Sequence, residues 1–117
     1  MRTAPRKKRE RMLKQKRIRD KKHLKWIANL PCCVSGVSAQ TQAAHIRHGC
    51  YSMGMKPGDD KCVPLWWGEH LRQHEEGERV FWNEYGGIEK ALDLAEELYK
   101  VSGDDDKGNI LILEFRR

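Results

Sequence analysis

The chain is 117 residues long, with 23 Lys and Arg against 17 Asp and Glu, a formal net charge of +6, and 38% hydrophobic and 34% charged residues. That length fits one domain of ordinary size and excludes a two-domain enzyme with separate large cores. No apolar run approaches the roughly 20 residues that span a bilayer, and the basic start lacks the apolar stretch of a secretory signal. A soluble, cytoplasmic protein with no membrane partner is expected.

Charge is segregated along the chain. Residues 1–25 hold 13 Lys or Arg and only Glu10 and Asp20 as acids, a net of +11, which leaves −5 for the rest. A basic arm on an acidic body points to a polyanion partner, and nucleic acid is the usual one. Each Lys or Arg near a phosphate releases counterions, so such an arm binds without reading sequence. The plainer reading is a solvated tail. A membrane-surface helix fits less well, because no continuous apolar face accompanies the charge.

The elements follow in order. Residues 6–29 read as a long basic helix, docked at its end through Leu24 and Ile27 and stopped by Pro31. Residues 31–38 form a turn-rich entry with Gly36 as pivot. Residues 42–47 suggest a strand, and 49–61 a loop rich in Gly, Pro and Asp. Residues 62–65 suggest a second strand, 66–76 a helix ended by Gly77, and 80–85 a short aromatic-rich helix closed by Gly86 and Gly87. Ile88, Ala91, Leu92, Ala95, Leu98 and Tyr99 then make one apolar stripe on a helix. Ser102 and Gly103 stop that helix, residues 104–106 form an acidic turn, and 110–115 (ILILEF) read as a final strand. The expected class is α+β, with a basic arm at 1–29 and the body at 30–117.

Cys32, Cys33, Cys50 and Cys62 sit in a chain without an export signal, so buried thiols or metal ligands are favoured over disulfides. The histidines say more. His70 and His74 lie four apart in the helix after Leu65, which puts their Cβ atoms about 5–6 Å apart on one face. Two imidazoles so placed can share a metal ion at about 2.0–2.1 Å each. His45 lies on the first strand, 25 residues earlier. A strand histidine, a loop, a strand and a helix with a histidine pair form a metal-nuclease layout.

At these residues the sequence resembles a family. Leu30-Pro-Cys-Cys-Val-Ser-Gly36, Ala43-Ala-His-Ile-Arg47, Gly54-Met-Lys-Pro57 with Asp59, Val63-Pro-Leu65 and Glu69-His-Leu-Arg-Gln-His74 look like phage-borne HNH-type nucleases. These are ββα-metal proteins similar to the recombination-enhancement (Ref) nuclease and to phage domains of unassigned function. The resemblance covers roughly residues 30–85. It implies a ββα-metal core carrying a long basic N-terminal helix and additional C-terminal helices. It also implies a phage or prophage DNA endonuclease that hydrolyses phosphodiester bonds with one divalent ion, Mg²⁺, Mn²⁺ or Zn²⁺. A recombinase partner is a further implication of the likeness to Ref.

Carried over by position, His45 matches the first-strand histidine, as catalytic group or as ligand. His70 and His74 match the helix ligands. Asp59 stands where such proteins place a polar residue that orients or coordinates. Arg47, Lys56 and Arg72 are expected at phosphates, together with Arg6, Lys7, Lys8 and Arg9 of the arm. The pattern departs from the family in two places. Ala44 replaces an acid or histidine, which leaves His45 open to either role and brings His48 forward as a substitute base. The cysteine pairs of many relatives are incomplete here, with Trp66-Trp67-Gly68-Glu69 in place of the second. No structural zinc is expected, and Trp66, Trp67 and Trp82 should pack where relatives hold metal.

The plainer readings are a hydrogen-bonded strand histidine at 45, surface polar residues at 70 and 74, core aromatics at Trp66, Trp67, Phe81 and Trp82, and an arm residue at His23. A rival function is a non-catalytic nucleic-acid-binding accessory on the same scaffold. A basic RNA-binding protein of ribosomal type is a third, and it leaves the His70/His74 spacing unexplained.

Overall fold

The computed structural model describes residues 17–48 and 56–117. Helix α1 spans Lys21–Ala28, strands β1 and β2 span Thr41–His45 and Cys62–Trp66, and helices α2 to α5 span Trp67–Glu76, Glu78–Asn83, Ile88–Lys100 and Asp105–Arg116. The fold is α+β. Among the described residues, none of the helices is long and apolar enough to cross a membrane.

The two strands pair antiparallel, Thr41 opposite Trp66 and His45 opposite Cys62. Pro64 lies inside β2 opposite Ala43. A proline cannot donate to a ladder, but a two-stranded sheet has only edge strands, so its missing N–H is tolerated. Its carbonyl accepts the Cys33 N–H at 2.9 Å, which ties the turn-rich entry to the open side of β2. Four of the five β2 residues are buried. Burial of their own side chains pushes the Cys33 and Cys62 thiols up, Cys62 to about 12, so both stay protonated. Cys50 lies outside the described residues.

Helix α1 begins where Asp20 caps it, its carboxylate accepting the His23 N–H at 3.0 Å. Residues 17–20 ahead of it are not helical, so within the described chain the helix is shorter than its sequence suggests; residues 6–16 of the expected helix lie outside that range. Ile27 is fully buried and Leu24 packs against the core. His23 is not an arm residue in solvent. It is fully buried, pairs through Nδ1 with Ser102 Oγ at 2.7 Å and meets the edge of Tyr99. Trp26 donates its indole N–H to Asp105 Oδ1 at 2.8 Å, and a Cβ at Gly108 would stand 2.7 Å from its ring. Helix α1 packs on the two strands and reaches α4 and α5 through the His23 and Trp26 side chains.

Helix α2 starts on the residue after β2. It ends at Gly77, whose φ of +91° suits glycine and turns the chain into α3. Inside that corner, Trp82 donates to the side-chain oxygen of buried Gln73 at 2.8 Å, and Phe81 meets the Trp82 ring edge-on. Helix α4 buries Ala91, Leu94, Ala95 and Leu98, the stripe its spacing predicts, centred slightly toward Leu94. The expected strand at 110–115 is helix α5. The acidic turn is its start, with Asp104 accepting the Lys107 N–H at 3.1 Å. Gly108, Ile112 and Phe115 face inward, while Ile110 and Leu113 are exposed. That spacing is helical, and it overrides the strand preference of a short aliphatic run.

Candidate functional site

An open cleft of about 460 Å³ lies between the end of β1, the start of the 56–60 turn and the exposed side of α2. His45, His70, His74, Arg17, Arg47, Lys56, Gln73 and Glu78 are among the residues lining it. The hairpin brings His45 to the mouth of the cleft, because it is the last residue of β1. Helix α2 brings the other two histidines, one turn apart, their ring centroids separated by 4.9 Å.

Each imidazole has an orienting neighbour, or lacks one, in a way that sets its chemistry. Gln42 Oε1 accepts from His70 Nδ1 at 2.7 Å. The proton is thereby fixed on Nδ1, and the Nε2 lone pair is left available. Burial, then the neighbouring His74 and His45 rings, hold His70 below the ordinary imidazole value. A neutral ring is the form that binds a metal. His45, about a third exposed, donates from Nε2 to Asp59 Oδ1 at 2.9 Å. In the neutral ring Nδ1 then carries the lone pair.

Asp59 is 4% exposed. Burial alone would raise its carboxyl, but the bonds from His45 and from the Asp20 N–H (2.7 Å, to Oδ2) outweigh it and hold the group below the usual carboxylate value. Asp59 is thus a charged orienting group for His45. With Nε2 taken by Asp59, His45 is arranged as a base with a partner rather than as a ligand through that nitrogen.

A family model described as "Protein of unknown function (DUF968)" matches residues 5–99, most of the chain. The chain belongs to the DUF968 family. No curated protein and no solved structure matches it. The DUF968 match takes in the arm from residue 5, both strands, α2, α3 and nearly all of α4, and so contains every residue that lines the cleft.

The structure gives several expected site residues other places. Arg72 does not line the cleft. Its guanidinium is held by Glu84 at 3.0 Å, Glu76 at 3.3 Å and Glu69 at 3.6 Å, bonds the Tyr85 hydroxyl at 2.8 Å and lies over the Phe81 ring at 4.7 Å. A guanidinium so engaged is a brace between α2 and α3, not a phosphate contact. His48 pairs with Glu89 at 3.2 Å, away from the cleft. Trp67 is not core: it is 45% exposed and does not wall the cleft, whereas Phe81 and Trp82 are fully buried. Arg6, Lys7, Lys8 and Arg9 lie outside the described residues.

The structure also adds residues that sequence reasoning passes over. Gln42 sets the His70 tautomer. Glu78 accepts the backbone N–H groups of Arg47 at 2.6 Å and His48 at 3.0 Å, which pins the chain leaving β1 to the start of α3. Arg17 reaches the cleft from the end of the arm. None of the three has a local pattern that marks it, since each acts on a residue at least 28 positions away or across the fold.

Proposed function

We propose that the protein is a metal-dependent DNA endonuclease of the ββα-metal (HNH) type, acting by phosphodiester hydrolysis. The observation that carries this reading is the meeting of His45, His70 and His74 at one cleft that three cations, Arg17, Arg47 and Lys56, line against one carboxylate, Glu78. The order strand, strand, helix supports it, as does the sequence resemblance.

His70 and His74 fit a divalent ion. They are imidazoles on successive turns, and His70 presents one nitrogen while Gln42 holds the other, as metal-binding histidines generally require. Among the described residues, no three His, Cys, Asp or Glu groups form a ready-made ligand set, so water and substrate oxygens would complete the shell. An imidazole pair leans toward Zn²⁺ over Mn²⁺ or Mg²⁺. A bound ion would act as a Lewis acid on the scissile phosphate.

The protein's own groups do the rest. His45 accepts the proton of the attacking water at Nδ1. Asp59 holds the ring in place and stabilises the imidazolium that results. Arg47 and Lys56 hold the phosphates of the bound strand. A phage or prophage setting and a recombinase partner belong to the same reading through the likeness to Ref.

Plasmid nicking with Mg²⁺, Mn²⁺ or Zn²⁺, with and without EDTA, tests it. The wild type nicks only with metal, His70→Ala loses that activity, and His45→Ala falls by about 10²–10⁴-fold. Undiminished nicking by His70→Ala would reject the site. Ala44, where the nuclease pattern has an acid or a histidine, favours one second reading, a non-catalytic nucleic-acid-binding module on the same scaffold. Tight DNA binding without metal-dependent cleavage would select it.

A further inference from the structure

The last residues of the basic arm are built into the cleft wall. The Asp59 N–H donates to the Ile18 carbonyl at 2.7 Å, and the Asp20 N–H returns a bond to Asp59 Oδ2 at 2.7 Å. Gly58 permits that approach: a Cβ there would stand 2.9 Å from the Ile18 backbone nitrogen and 2.5 Å from Asp60 Oδ1. The clasp fixes the residue just upstream, Arg17, whose side chain lines the cleft beside His45 and His70.

Arg17 Nε is closed off from solvent, and among the described residues it has no hydrogen-bond acceptor. A desolvated guanidinium nitrogen without an acceptor is costly. With Nε shut inside, a phosphate in the cleft would be met by the Nη groups at the end of the fork, which suit two oxygens at once. Arg72, the other arginine considered for phosphate, shares the closed-off Nε, but the end of its fork is taken by Glu84 and the Tyr85 hydroxyl and it does not line the cleft.

We propose that Arg17 is a further phosphate-holding side chain of the cleft, beside Arg47 and Lys56, gripping the nucleic-acid backbone where it passes from the arm to His45. The proposal rests on the reading of the cleft as a nucleic-acid site and does not require cleavage. The arm then has two parts. Its upstream charges gather the polyanion without register. Arg17 sets the register, because the same Asp59 that clasps the arm through Oδ2 holds His45 through Oδ1.

The test is fluorescence anisotropy of a short labelled DNA duplex across a salt series, in EDTA so that no strand is cut. Full-length Arg17→Gln and Arg19→Gln are compared. Each removes one positive charge, two residues apart, and Arg19 is exposed and does not line the cleft. Arg17→Gln is expected to weaken binding about tenfold and to make the salt slope shallower by about 0.9, while Arg19→Gln stays within about twofold of wild type. Gly58→Ala, with every charge intact, weakens binding several-fold by lifting the clasp. Equal effects of the two arginine variants, or no binding by the wild type, would overturn the proposal. If nicking fails yet Arg17→Gln alone weakens binding, the nuclease reading falls and this one stands. If nicking succeeds and the two variants match, this proposal falls by itself.

Discussion

The Gln42 amide decides which nitrogen of His70 is free, and that gives the first prediction at the scale of single residues. Gln42→Ala releases the Nδ1 proton from its acceptor and lets the ring turn. Loss of such an orienting partner typically costs about 10–100-fold in metal affinity. Titration calorimetry with Zn²⁺ on wild type and Gln42→Ala should show that drop; equal affinities would mean the bond at 2.7 Å has no part in the site.

A second prediction concerns pH. Burial holds His23 below its ordinary 6.5, against the pull of Asp20, Asp59 and Asp60, and burial with the His74 and His45 rings does the same for His70. As pH falls below 6.5 the unfolded chain takes up these protons first. The folded state therefore loses stability across the window between 6.5 and the lowered folded values, and loses no more from these groups beneath it. Melting curves between pH 7.5 and 5 should show the decline, and His23→Gln should flatten part of it. A slope unchanged in that variant would mean His23 is not the buried neutral group described. The His70/His74 pair could be read from its i, i+4 spacing alone, and the sequence placed His45 and Asp59 in order. The burial of His23 was not legible, since it depends on Ser102 and Tyr99, more than 70 residues away.

At the scale of elements, α5 shows where local preference misleads. Its aliphatic run has strand character, but Asp104 caps it and Trp26 and Phe115 hold it as a helix against α1 and the core. Removing the cap by Asp104→Ala should cost about 1 kcal/mol. Gly108→Ala sets two effects against each other: about 1 kcal/mol gained in helix propensity and about 1–3 kcal/mol lost by pressing a methyl into the Trp26 ring. Packing should win, and a lower urea midpoint with unchanged slope would show it. A higher midpoint would mean that α1 and α5 can separate without loss. The strands and α2 to α4 were legible because their turn residues, Gly77 and the Gly86-Gly87 pair, fall between periodic segments. The start of α1 carries one local mark, the capping Asp20, and the unbroken run of Lys and Arg on both sides of it obscures the boundary.

For the whole molecule, the division into a basic arm and an acidic body means that DNA affinity should depend steeply on salt. Replacing Arg6, Lys7, Lys8 and Arg9 with Gln should flatten the dependence by about 0.9 for each phosphate left without its cation, with little change in sequence preference, since charges on the backbone position the duplex rather than read it. An unchanged slope would exclude the arm as the anchor. The charge division itself is a matter of composition. The joining of arm to cleft through Asp59 was not legible, because backbone bonds from Ile18 and Asp20 carry it and leave no mark on side-chain patterns.

The most direct trial is anomalous scattering from crystals soaked in Zn²⁺ or Mn²⁺. The account predicts a single ion about 2.0–2.1 Å from His70 Nε2, shared with the His74 imidazole, and His45 still bound to Asp59 beside it. An ion bound elsewhere, or none at this pair in metal-saturated crystals, would contradict it.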